Sequence, residues 1–290
     1  MVGPTDLPSA VRLTATGITL GQLVGPAIGA VLLFTVGPTI GMFLNVAMYL
    51  PFLTYLFIVP ITGHVRDAAR RAAPHLRDIV DVLRDVPKYP SILVVMILQG
   101  AIALFIGVAL MPLLPEFGSL LGQSSNGLGY AVLVSSMAAG AVTAGVTLEA
   151  IGRIRASTRL AIIAGVAFAA SILVFALSRS YPLSIIALIV AGASSLTAAS
   201  TSTTIVQLEA PSERRGRFVG AAGMTAQGFQ AGSGILIGVL AGWLGVAGGV
   251  SVAATALLVV TIALLIVVVV RRRAVPTIEP DESAPVELEA

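Results

Sequence analysis

The chain has 290 residues, of which 57% are hydrophobic and 11% charged; soluble domains run near ~45–50% apolar and ~25% charged. That balance excludes a water-soluble globular protein, a disordered chain and a nucleic-acid binder, for which a formal charge of +3 is too sparse. With no cysteine, disulfides, thiolate metal sites and a Cys nucleophile are excluded too.

Crossing a bilayer core as a tilted helix takes roughly 20 apolar residues. Runs of that kind cover 15–36, 39–60, 91–113, 127–148, 160–178, 182–208, 218–242 and 247–270, and none contains Asp, Glu, Lys or Arg. The apolar content is continuous, not alternating, and backbone in lipid must satisfy its own hydrogen bonds. The expected fold class is therefore an all-α polytopic membrane protein with eight transmembrane helices. No secretory leader is expected, because residues 1–14 lack a basic n-region and the first run is too long.

The first span carries Gly17, Gly21, Gly25 and Gly29, one every four residues and so on one helix face. Such a face lets a neighbouring helix approach closely. Pro26 lies within it and should kink the helix. The plainer reading is a packing seam, and the functional one is a hinge or seal in a moving bundle.

Residues 61–90 form one long polar insert between two spans and six. Pro74 can open an amphipathic helix there, with Ile79, Val80, Leu83 and Val86 on one stripe and Arg77 four residues from Asp81. After Arg273 the chain turns acidic and proline-rich, and residues 271–290 are expected to be a solvated, disordered tail.

With eight spans, Arg179 alone of the seventeen basic residues falls on the side opposite the N-terminus. Positive loops stay inside. Both termini are expected in the cytoplasm of a cell whose inner, or plasma, membrane holds the chain.

Several of these segments resemble the major facilitator superfamily. Residues Gly21 to Ala30 (GQLVGPAIGA) look like the fifth-helix antiporter motif of its exporters, with Ala30 where the final Gly is usual. Asp6 to Leu13 resembles the loop before that helix, and Gly37 with Phe43-Leu44-Asn45 resembles the start of the sixth. Glu149-Ala150-Ile151-Gly152-Arg153 is similar to the cytoplasmic motif between the eighth and ninth helices, with Ala150 in place of a basic residue. Gln207 to Arg217, with Glu213, Arg214, Gly216 and Arg217, looks like the loop between the tenth and eleventh. The combination resembles the enterobactin-exporter-like and macrolide-efflux-like branch.

The resemblance implies a partial major-facilitator fold, the last eight helices of twelve. Residues 1–60 would be the last two helices of the N-terminal half, 61–90 the cytoplasmic linker between halves, and 91–270 the six-helix C-terminal half. It implies a secondary transporter that exports small amphipathic molecules, of drug or siderophore type, by alternating access. The expected partners are a small-molecule substrate, protons as coupling ion and the lipid bilayer, with no nucleic acid, no cofactor and no metal. Glu149, Gly152, Arg153, Glu213, Arg214, Gly216 and Arg217 would form a cytoplasmic gate. Proton coupling would fall to absent helices, or to Glu116 or Glu149 at the membrane edge. The competing reading is a truncated remnant or membrane scaffold that does not transport.

Uncharged polar residues inside the spans should face protein or a water-filled cavity. Asn45, Gln99, Gln207, Gln227 and Gln230 are therefore candidates either for interhelix hydrogen bonding or for cavity lining. The Ser/Thr run from Ser194 to Thr204 reads as helix packing, because hydroxyls can bond back to their own helix. No HExxH, phosphate-binding loop or nucleophile elbow is present, so an enzyme is not expected.

Overall fold

The computed structural model describes residues 35–37, 39–55, 57–58, 82, 84–123, 128–151, 156–211 and 214–273. The glycine-bearing first span, most of the 61–90 insert and the acidic tail lie outside them. Regular structure among the described residues is helical throughout. The elements are α1 (Thr39–Tyr55), α2 (Pro90–Phe105), α3 (Leu110–Leu120), α4 (Leu128–Ile151), α5 (Thr158–Leu177), α6 (Tyr181–Glu209) and α7 (Arg215–Arg273).

Local sequence sets several helix starts. Pro90 and Pro182 sit in the first turns of α2 and α6, where a missing N–H costs nothing. Ser157 caps α5, its hydroxyl accepting from the Leu160 amide at 3.2 Å.

Two glycines break what hydropathy reads as smooth spans. The run 91–113 is bent, with α2 and α3 meeting at 49° and the helix continuing to Leu120. Gly107 makes the bend at φ +41°, and a Cβ there would lie 2.5 Å from Ser233 Oγ of α7. Hydropathy cannot show that crossing.

The second break divides α7. Fifty-nine residues of straight helix would run to about 88 Å, nearly three times a bilayer core of ~30 Å. Gly245 (φ 73°, ψ 166°) turns the chain back instead. A Cβ on Gly249 would then come within 2.7 Å of the Ala241 backbone nitrogen, eight residues earlier. The arms 215–244 and 246–273 correspond to the two expected spans, 218–242 and 247–270.

Four described helices are long and apolar enough to cross a membrane, or five if the bent pair is one span. Gly245 makes the longest of them two crossings. Of the first two expected spans, only α1 and a few neighbouring residues are described. Its large side chains are exposed nearly all round, Phe43 by 73%, as suits a helix surrounded by apolar partners or lipid.

Packing depends on glycine where helices cross. Side chains at Gly140 of α4 and Gly192 of α6 would run into the carbonyl oxygens of Ile189 and Met137 respectively, so the two backbones touch there. One core cluster, around Phe117, Phe168, Phe175 and Leu188, fills the end where Tyr181 donates to the Gly129 carbonyl at 2.6 Å. A second, around Ile92, Leu98, Ile162, Ile205 and Phe218, fills the arginine-rich end.

Candidate functional site: a cavity over a clasped linker

A cavity of about 300 Å³ opens between α2, α6 and the first arm of α7. It is at the lower end of ligand-pocket sizes, which run from about 300 to 1,000 Å³. Small residues create the room: Ala199 on α6, and Ala222, Gly223 and Ala226 on α7. A Cβ on Gly223 would meet nothing within 4 Å. Val95 and Met96 supply apolar walls from α2, and Val206 and Val219 from the other two helices. Among the described residues, no Asp, Glu, Lys, Arg or His lines it.

Two of the lining residues carry a buried polar atom that lacks a partner and does not open into the cavity. Gln99 Nε2 on α2 and Ser202 Oγ on α6 are buried without a hydrogen bond, and Ser202 is only 3% exposed. Nearby hydroxyls on α6 behave differently. Ser194, Thr197, Thr203 and Thr204 each donate to the carbonyl four residues back, at 2.6–2.9 Å. Ser184 Oγ is also unpartnered, but it does not line the cavity.

Residues from the 61–90 insert lie against the same cluster as the cavity wall. Val82 and Val86 are each 3% exposed and belong to the core that includes Val95, Met96 and Val206. Pro87 opens a single 3-10 turn, Val86–Lys88, closed by the Tyr89 amide donating to Val86 at 2.9 Å. The Tyr89 ring then meets Phe218 edge-on, with centroids 5.4 Å apart.

Charge clasps this turn to the start of α7. Asp85 accepts from Lys88 Nζ at 2.6 Å and from Arg214 Nη1 at 2.9 Å. The Lys88 hydrogen bond is the main influence holding the Asp85 carboxyl below its usual range. Partial burial opposes it, and Arg214 adds to it.

Gln99 is thus the one candidate amide at the cavity. Asn45, Gln207 and Gln227 are exposed, and Gln230 is half-buried, its backbone carbonyl accepting from Ser233 Oγ at 2.7 Å. Of the expected gate, Arg214, Gly216 and Arg217 lie in the exposed first turn of α7 and just before it. Gly152, Arg153 and Glu213 fall outside the described residues, as do Gly17, Gly21, Gly25, Pro26 and Gly29. Glu149 is in the last turn of α4. The acid that meets Arg214 is Asp85, which sequence reading did not single out. Its only signal was an acid five residues before Pro90 in a basic insert.

A family model described as transmembrane secretion effector, of the major facilitator type, matches residues 1–288. No curated protein and no solved structure matches the chain.

Proposed function

The chain belongs to the transmembrane secretion effector family of the major facilitator superfamily, and we propose that it is a secondary exporter of small amphipathic molecules working by alternating access. The observation that carries this reading is the uncharged cavity lying over a clasped linker. Transporters of this kind hold substrate between helices and rock around it. The arginine-rich side is then the cytoplasmic face of an inner or plasma membrane. Asp85 with Arg214 forms one contact of the cytoplasmic gate, alongside Glu149, Gly152, Arg153, Glu213, Gly216 and Arg217. Charge-assisted pairs suit a gate, since they re-form in the same geometry after each cycle. The glycine helix 15–36 serves as hinge or seal, and proton coupling falls to Glu116 or Glu149. The likeness to enterobactin and macrolide exporters supports outward transport.

The test is efflux of Nile red, a neutral dye, from energised cells expressing the chain. Gly223→Leu puts a side chain into open space and should slow efflux about tenfold, a loss of ~1.4 kcal/mol of transition-state stabilisation. Cells with verified membrane insertion and no energy-dependent efflux of neutral dyes would refute the exporter reading.

A further inference from the structure

We infer that the cavity between α2, α6 and α7 takes the alkyl tail of a single-chain anionic amphiphile, a carboxylate of the fatty-acid kind, and that Arg215 holds its head. The inference deepens the exporter reading by naming the substrate class of that site. It rests on that reading for transport, but occupancy can be tested without transport.

The cavity suits a tail. It is predominantly apolar and carries no charge among the described residues. Ala199, Thr203 and Gly223 of its lining are exposed, so a chain can enter from the side. The Thr203 hydroxyl is spent on the Ala199 carbonyl. A volume of about 300 Å³ suits one alkyl chain. Lipid tails are as apolar as such a wall, so the wall alone cannot prefer a guest over the bilayer. Preference must come from the head.

The head site follows from helix spacing. Val219, Ala222 and Ala226 line the cavity from one face of α7. Arg215, four residues before Val219, is the preceding member of that series. It is exposed and in no ion pair with any described residue. Its guanidinium is always charged and offers five N–H donors. It also stands in the first turn of α7, where the helix N-terminus favours an anion. The neighbouring cations are placed differently: Lys88 and Arg214 share Asp85, and Arg217 falls on the far side of α7. Glu209, exposed at the end of α6, opposes an anion, but these four cations outweigh it and Asp85. Depth agrees as well. The eleven residues from Arg215 to Ala226 rise ~16 Å, about half of a bilayer core of ~30 Å. A head at the cytoplasmic interface thus leaves its tail ending near the midplane, where transporters of this kind hold their cargo. A neutral dye uses the cavity alone; an anionic amphiphile gains Arg215 as well.

Because the chain has no cysteine, Val219→Cys puts a single thiol in the cavity wall. Its reaction with N-ethylmaleimide is timed with the full chain in phosphatidylcholine vesicles, under mildly alkaline conditions where laurate is ionised. Laurate should slow the reaction. Dodecanol, of the same chain length, should need at least about tenfold more in the membrane, because its hydroxyl brings no charge to the guanidinium. Arg215→Gln should bring the two compounds level and leave protection by dodecanol unchanged. Arg159→Gln removes an exposed cation at the start of α5 and should keep the difference. Gly223→Leu should raise the amount needed of both compounds at least about fivefold.

Equal protection by laurate and dodecanol in the parent would overturn the inference. So would a loss of preference in Arg159→Gln as large as in Arg215→Gln, which would mark a general surface charge. Laurate protecting Gly223→Leu as well as the parent would remove the tail from the cavity. Protection by phosphatidylglycerol in the vesicles, with no further effect of laurate, would give the seat to a bilayer lipid and overturn the assignment. Protection in a chain that moves no laurate out of energised cells would sink the exporter reading and leave the seat standing. Laurate efflux without protection would do the reverse.

Discussion

An unmade hydrogen bond on a buried group costs about 1–3 kcal/mol, and Gln99, Ser184 and Ser202 each leave one unmade. Sequence could place an amide in a span but could not say which neighbour it would meet. Five amides qualified, and Gln99 alone lines the cavity. Ser202 was hidden in a hydroxyl run read as packing. That reading describes Ser194, Thr197, Thr203 and Thr204 correctly, and Ser202 differs only through what surrounds it. The Asp85 clasp makes a residue-scale prediction. Its carboxyl pKa is lowered in the folded protein, so the clasp is fully present above the ordinary carboxylate value of about 4 and is lost as pH falls through the lower folded value. Fluorescence of Tyr89→Trp in a Trp243→Phe background should stay constant from neutral pH down to about 5 and change only below the usual carboxylate range. With Asp85→Asn that acid transition should disappear; if it persists unchanged, another group holds the turn.

Whole elements were more legible than residues. A charge-free apolar run of about 20 residues has one stable form in lipid, and seven of the eight expected spans have counterparts among the described helices. Breaks within elements were less legible, because they answer to distant contacts. The turn between the last two spans falls in the four-residue gap, 243–246, that separates the expected runs. The bend at Gly107 was not legible, since it depends on Ser233 more than a hundred residues away. Gly245 adopts a backbone conformation, φ 73° and ψ 166°, that side chains tolerate poorly, at an expected cost of 1–3 kcal/mol. Gly245→Ala should therefore destabilise the protein by about that much, seen as a lower unfolding midpoint in detergent. Gly238→Ala, at a helical position with open space around it, should be neutral within about 0.5 kcal/mol. Equal effects at both sites would mean that the turn is not strained.

At the scale of the molecule, the bundle has two distinct ends, and the sidedness expected from the arginines assigns them to the two faces of the membrane. The clasp, the linker turn and the first turn of α7 gather at one end, and Tyr181 with Gly129 ties the other. Because the chain has no cysteine, single cysteines carry no background. Ser180→Cys should react with a membrane-impermeant maleimide only from outside intact cells, and Glu209→Cys only in inside-out vesicles. Both positions are exposed and bracket α6. Reaction of both from the same side would break the topology and the gate with it.

In the proposed topology the turn at Gly245 faces outward and governs what can be reached there. A single residue between two crossings leaves no loop for a protease to thread or an antibody to clasp, and no sequon-bearing strand for a glycan. Trp243, 82% exposed beside that turn, is the kind of side chain that settles among lipid headgroups. In that topology the outward landmark at this point would be one indole level with the membrane surface.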